Sequence, residues 1–161
     1  MLFRSACADA LQRSGYRVSR VDVGRDIAAV LQTLKPDVAF NVLHGRPGED
    51  GTLQGILEIQ GIPYTHSGVL ASSLAMEKDF AKVVMKAAGV PVPEGRVVSR
   101  QEAAKEHVLP RPYVLKPVAE GSSVGVFIVT EQHAHPPQEL NRPDWSLGDR
   151  LLAEQRSEEH T

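Results

Sequence analysis

The sequence predicts an α/β protein, and three observations carry that expectation. Strand-like and helix-like stretches alternate along the first half of the chain. Aromatic residues make up only 5% of the 161 residues. The apolar run DVAFNVL, Asp37 to Leu43, suits a strand buried on both faces. Ala6 to Ser14 has apolar residues at helical spacing, and Gly15 follows as a C-cap would. Tyr16 to Val23 alternates like a strand. Asp26 to Leu34 reads as a helix, with Lys35 near its C-terminal end and Pro36 forbidding continuation. After DVAFNVL come the loop HGRPGEDG, a helix over Thr52 to Gln60 stopped by Gly61, and a short strand at Ile62 to Thr65. This alternation implies a doubly wound, Rossmann-like sheet. Ligands of such sheets sit at the carboxyl ends of the strands, where HGRPGEDG falls.

From Leu70 to Gly89 the pattern is helical, and MEKDFAKVVMKAAG offers apolar positions three and four apart. VPVPEG then reads as a hinge. Beyond it the spacing predicts a strand at Arg96 to Val98, a helix from Gln101, and strands at Tyr113 to Val118 and Val126 to Thr130. An exposed connection rich in Pro, His and Asp spans residues 131–148, and another strand begins at Leu151 to Glu154. The composition divides the chain into two domains, 6–75 and 76–155.

A formal net charge of −2 gives no electrostatic reason to expect nucleic acid or a membrane surface as partner. Cys7 is the only cysteine, so no internal disulfide can form and a reducing, cytoplasmic setting is expected. No apolar run approaches the roughly 18 to 20 residues of a spanning helix. Both ends look foreign. One legal codon choice for RSEE, from Arg156, is the reverse complement of one for LFRS, from Leu2, and the shared word resembles a sequencing-library adapter. Residues 1–5 and 156–161 are therefore expected to be non-native.

Two motifs carry chemistry. In YVLKPVAEGSSVG, Lys116 sits inside an apolar run, where an ammonium normally has an anionic partner. The glycines and serines after it offer backbone N–H groups without bulk, as a loop over phosphates would, and GxxxxGK[ST] is absent. The plainer alternative is a tight hairpin with a surface lysine. In HGRPGEDG, His44 could hold a substrate carboxylate or be a satisfied histidine in a polar turn. Arg46 could pair with substrate or with a neighbouring acid. Asp50 is best read as the cap of the next helix. Lys78, Lys82 and Lys86 recur four apart, and Lys82 and Lys86 read as a solvated stripe. His133 and His135 in a Pro-rich loop do not make a metal site.

LHGRPGEDGTLQGILEIQGIPYTHSGVLASSLAMEKDFAK and YVLKPVAEGSSVGV together resemble the D-alanine–D-alanine ligases of the ATP-grasp superfamily, densely from Asp37 to Val129. The resemblance implies a Rossmann-like N-terminal domain lacking its first strand, followed by an incomplete ATP-grasp central α+β domain. It also implies ATP-dependent condensation of two D-alanines through a D-alanyl phosphate for peptidoglycan, with magnesium, in a cytoplasmic homodimer. Residue by residue, His44 resembles the histidine that holds the first D-alanine, and Lys78 and Lys116 the lysines on the ATP phosphates. Ser122 resembles a serine hydrogen-bonded beside the first substrate, and Ser123 one whose N–H reaches a phosphate. Glu154 resembles the start of the acidic stretch that meets adenine. His66 stands where the family usually has glycine, and Glu77 where aspartate is common. The family's first strand would precede Ala6. Its magnesium ligands, phosphate-steadying arginine and tyrosine partner of Ser122 would follow Glu154. The chain as it stands is thus expected to be an inactive fragment. A D-alanine–D-lactate type of ligase and a non-catalytic nucleotide-binding module are the alternatives.

Overall fold

The structure, a computed structural model, describes residues 2–121 and 123–156. The chain divides into two compact units. One holds the described residues up to Val42 together with Leu53–His66, and the other holds Leu43–Thr52 together with the described residues from Ser67 on. HGRPGEDG therefore groups with the second unit, although the sequence put it ahead of a break at residue 75.

The first unit is mostly helical. Helix α1, Leu2–Arg13, begins earlier than the apolar pattern suggested, inside the stretch expected to be foreign. It closes on Gly15, whose φ of +89° is the left-handed conformation that glycine adopts without a side-chain clash. Helix α2, Ile27–Leu34, ends with Lys35 itself left-handed at φ 47°, its N–H on the Leu31 carbonyl at 2.8 Å. Helix α3, Thr52–Ile59, runs back into the unit, and the Gln60 side chain donates to the Ala28 carbonyl at 2.8 Å. Ile27, Leu31, Leu53, Leu57 and Ile62 are buried.

The expected Rossmann-like sheet is here reduced to one parallel bridge. Ala39 pairs with Tyr64, through Ala39 N–H to the Pro63 carbonyl at 2.8 Å and Thr65 N–H to the Ala39 carbonyl at 3.1 Å. That joins DVAFNVL to Ile62 to Thr65 in the expected sense. Among the described residues, Tyr16 to Val23 forms no strand, which corrects the alternation argument. A strand needs a hydrogen-bonded neighbour, and Tyr16 remains 64% exposed, so neither pairing nor burial rewards the pattern.

The second unit is built on a four-stranded antiparallel sheet in the order β1-β4-β2-β3. Its strands are β1 at Gly95–Ser99, β2 at Tyr113–Pro117, β3 at Phe127–Val129 and β4 at Arg150–Gln155. Leu115 opposes Ala153, and Lys116 opposes Leu152. Period-two alternation sends Val98, Tyr113, Leu115, Val129, Leu151 and Ala153 to one face, where they form the core with Ala103 and Val108. Helix α6, Arg100–Lys105, covers that face, and the Ser99 hydroxyl caps it by accepting the Glu102 N–H at 3.1 Å.

The connection 131–148 is not merely exposed. Its 3-10 turn, Gln138–Asn141, plants Leu140 in the core at 1% exposure, and Trp145 stacks on Phe127 at 6.3 Å. The helical stretch from Leu70 to Gly89 is formed by two helices, α4 at Val69–Met76 and α5 at Lys78–Ala87. They are broken at Glu77, whose φ of −90° and ψ of 90° are extended.

Candidate functional site

The face of the sheet opposite the core carries the charges. Alternation places Lys116 of β2 and Glu154 of β4 on it, and α5 adds Lys78 and Lys82. The break at Glu77 makes Lys78 the first residue of α5. Its N–H donates to the Val118 carbonyl at 3.2 Å, and its ammonium donates to the carbonyls of Val118, at 3.3 Å, and Glu120. Lys78 is thereby fixed to the segment leading into EGSSVG. Burial lowers its pKa, and the neighbouring Lys116 ammonium lowers it further. Glu120, Glu77 and Glu154 offset part of that.

Lys116 does have the anionic partner its apolar surroundings demand, and the partner is internal. The Glu154 carboxylate takes Lys116 on Oε2 and Lys82 on Oε1, the latter at 2.6 Å. Glu154 is buried, which alone would raise its pKa. The hydrogen bonds and charges of Lys116 and Lys82 outweigh burial and hold it below the usual carboxylate range. Lys82 is therefore not solvated, which corrects the stripe reading. Its side chain is 19% exposed, while that of Lys86 is 68% exposed and lies 3.4 Å from Glu94. A spacing of four could not separate the two, since only the sheet beneath α5 decides which lysine meets a carboxylate.

The depressed pKa has a consequence for stability. The folded protein binds fewer protons at Glu154 than the unfolded chain, so the stabilisation is complete above the ordinary glutamate value of about 4.3 and is lost as pH falls through the lower folded value. Thermal melts between pH 7 and pH 3 are expected to show this acid loss, and Glu154→Gln should flatten it. Equal acid sensitivity in the two proteins would show that other carboxylates dominate.

In the loop after β2, Ser123 has a left-handed φ of 59° and Gly125 a φ of 69°. A Cβ on Gly125 would lie 2.4 Å from Leu147 Cδ1 and 3.0 Å from Pro117 Cγ, so this turn needs glycine twice over. Ser123 is exposed, and Ser122 lies outside the described residues. In the other loop, His44 is exposed. The Glu49 carboxylate accepts the Gly45 N–H, and a Cβ on Gly121 would come 3.3 Å from Glu49 Oε2, so this loop lies against EGSSVG. Asp50 Oδ1 accepts the Thr52 N–H at 3.0 Å at the start of α3, as expected of a cap. Arg46 pairs with neighbouring acids, Glu77 at 3.0 Å and Asp50 at 3.4 Å, and Arg150 joins the same chain through Glu77 at 3.5 Å and Asp79. His133 Nδ1 accepts the Thr130 N–H at 3.0 Å. Among the described residues, no group of three or more His, Cys, Asp or Glu is placed to hold a metal ion, and no helix is long and apolar enough to cross a membrane.

Comparison with known proteins places the chain among its relatives. Residues 7–67 match the family described as D-ala D-ala ligase N-terminus. The chain is 70% identical over 151 residues to a D-alanine–D-alanine ligase of Xanthobacter autotrophicus, covering 94% of this chain and 49% of that protein. It is 69% identical over 150 residues to one of Afipia carboxidovorans, covering 93% and 49%. The crystal structure of D-alanine–D-alanine ligase from Bacillus anthracis superposes with a TM-score of 0.74 at 27% identity, over 98% of this chain and 52% of that one. The fold is accordingly a Rossmann-like N-terminal part followed by part of an ATP-grasp domain. Over nearly all of its length the chain is a relative of the D-alanine–D-alanine ligases, and it spans about half the length of the curated relatives it matches.

Proposed function

We propose that the chain supplies the phosphate-binding lysines and loop, and the first-substrate loop, of an ATP-dependent ligase that joins two D-alanines for cell-wall precursors in the cytoplasm. One observation carries the reading: the Lys78 ammonium is held on the Val118 and Glu120 carbonyls, at the end of the strand that carries Lys116 and at the start of EGSSVG, so the two lysines flank the same loop. Two crowded ammonium groups at the mouth of a loop with Ser123 and Gly125 left-handed suit a polyanion such as the ATP phosphates. ATP, when bound, supplies an electrophilic phosphorus for activating a carboxylate. Lys78 and Lys116 would orient its phosphates, and closure of the loop would keep water from an acyl phosphate. His44, presented by a turn that lies against the same loop, is suited to hold the carboxylate of the first D-alanine. Ser122, Ser123 and Glu154 keep the parts that the resemblance implies. Magnesium finds no ready set of ligands among the described residues, and no step is routed through it.

Calorimetric titration of the chain with ATP tests the reading. Saturable binding is expected. Lys78→Met should weaken it about tenfold or more, the cost of one lost charged hydrogen bond at roughly 1.5–3 kcal/mol. No binding at millimolar ATP, or equal binding by the variant, would refute it.

A further inference from the structure

Lys82 belongs to no part of the proposed reaction, yet the structure invests it heavily. Its ammonium donates to Glu154 Oε1 at 2.6 Å and to the Pro93 carbonyl at 2.7 Å. It thus joins α5 to β4 and to the hinge segment before β1. The Glu154 carboxylate is buried, and each oxygen has one lysine: Lys82 on Oε1 and Lys116 on Oε2. A buried oxygen stripped of its donor is costly. Without Lys82, Lys116 is already on the same carboxylate and has N–H groups to spare for Oε1, whereas the neighbouring Lys78 is held by the Val118 and Glu120 carbonyls. Lys116 would then be gripped by both oxygens.

We propose that Lys82 is a positioning residue of the anion site: by holding one oxygen of Glu154, it leaves Lys116 tied to a single oxygen and able to exchange onto an incoming polyanion. Glu154 is then a resident anion that Lys116 leaves when phosphate oxygens arrive, and Lys82 keeps the carboxylate in place afterward. Lys82 acts through Glu154 and does not itself touch the ligand. The inference rests on reading Lys116 as a phosphate lysine, but its mechanical part concerns this chain alone.

The test needs no nucleotide. The folded chain is treated briefly with acetic anhydride, and the acylation rates of Lys82 and Lys116 are read by mass spectrometry. Glu154→Gln should speed both lysines severalfold, because it releases both. Lys82→Met should slow Lys116 severalfold, while Lys82→Arg should leave Lys116 at its original rate. In the double variant Lys82→Met/Glu154→Gln, Lys116 should react as in Glu154→Gln alone, since a residue acting only through Glu154 has nothing left to act on. A Lys116 rate unchanged or raised by Lys82→Met, or a double variant unlike Glu154→Gln, overturns the proposal. Should Lys82→Met fail to fold by thermal melt, Glu154→Gln decides alone: release of only one of the two lysines overturns the shared-carboxylate arrangement. ATP titration of the same proteins separates the two ideas. Absence of ATP binding sinks the nucleotide reading, whereas the acylation pattern judges Lys82.

Discussion

Glu154→Ala is expected to cost the second unit about 3 kcal/mol of unfolding free energy, read by urea denaturation at pH 7. The argument follows from the pairing. Removing one member of a buried ionic set leaves the others uncompensated, and here Lys116 and Lys82 would face each other with no carboxylate between them. The figure lies at the low end for such losses because both ammonium groups sit on flexible stems and can turn toward water. Glu154→Gln should cost less, since the amide fills the space that alanine would leave empty, although it holds neither lysine as an ion pair. A loss below about 0.5 kcal/mol for Glu154→Ala would place the set with exposed surface pairs, and the site would then be looser than its geometry indicates.

Leu140→Ala is expected to cost about 2–5 kcal/mol, as large as a truncation in a central strand. Leu140 is only 1% exposed and packs among residues of α6 and the sheet. The turn that holds it is anchored by the Arg100 guanidinium, which donates to the Leu140 carbonyl at 3.3 Å and the Arg142 carbonyl at 3.4 Å. Truncation leaves a hole that the sheet cannot close, because its backbone is fixed by pairing on both sides of β2. Gln138→Ala, in the same turn but exposed, serves as the control and should change stability by no more than about 0.5 kcal/mol. Similar small effects at both positions would mean that the connection lies on the core without sealing it.

Leu140 also marks a limit of reading the chain without its fold. The stretch around it is rich in Pro, His and Asp, and one leucine in such company has no periodic partners to announce it. Where local chemistry decides, the sequence was informative. Gly15 after α1, Asp50 before α3 and the strand that holds Tyr113, Leu115 and Pro117 all appear where pattern or capping placed an element. Lys116 was recognisable because its neighbours are apolar. Lys82 was not, because its partner Glu154 lies 72 residues away and only strand pairing brings them together. Tyr16 to Val23 shows the converse. Alternation there is genuine, but a strand is a relation between two segments, and among the described residues that stretch pairs with no other strand.

The alternation of β4 carries one more consequence. Leu151 and Ala153 face the core while Glu154 meets two lysines on the other side, so a slip of one residue along β2 would exchange the two sets. Hydrophobic pattern alone opposes such a slip weakly here, because Leu152 could stand in for Leu151. Glu154 could not be accommodated so easily, since it would enter an apolar layer without a cation. The Glu154 carboxylate therefore also registers the strand, and its pairing with Lys116 and Lys82 specifies which of two nearly equivalent sheets the chain builds.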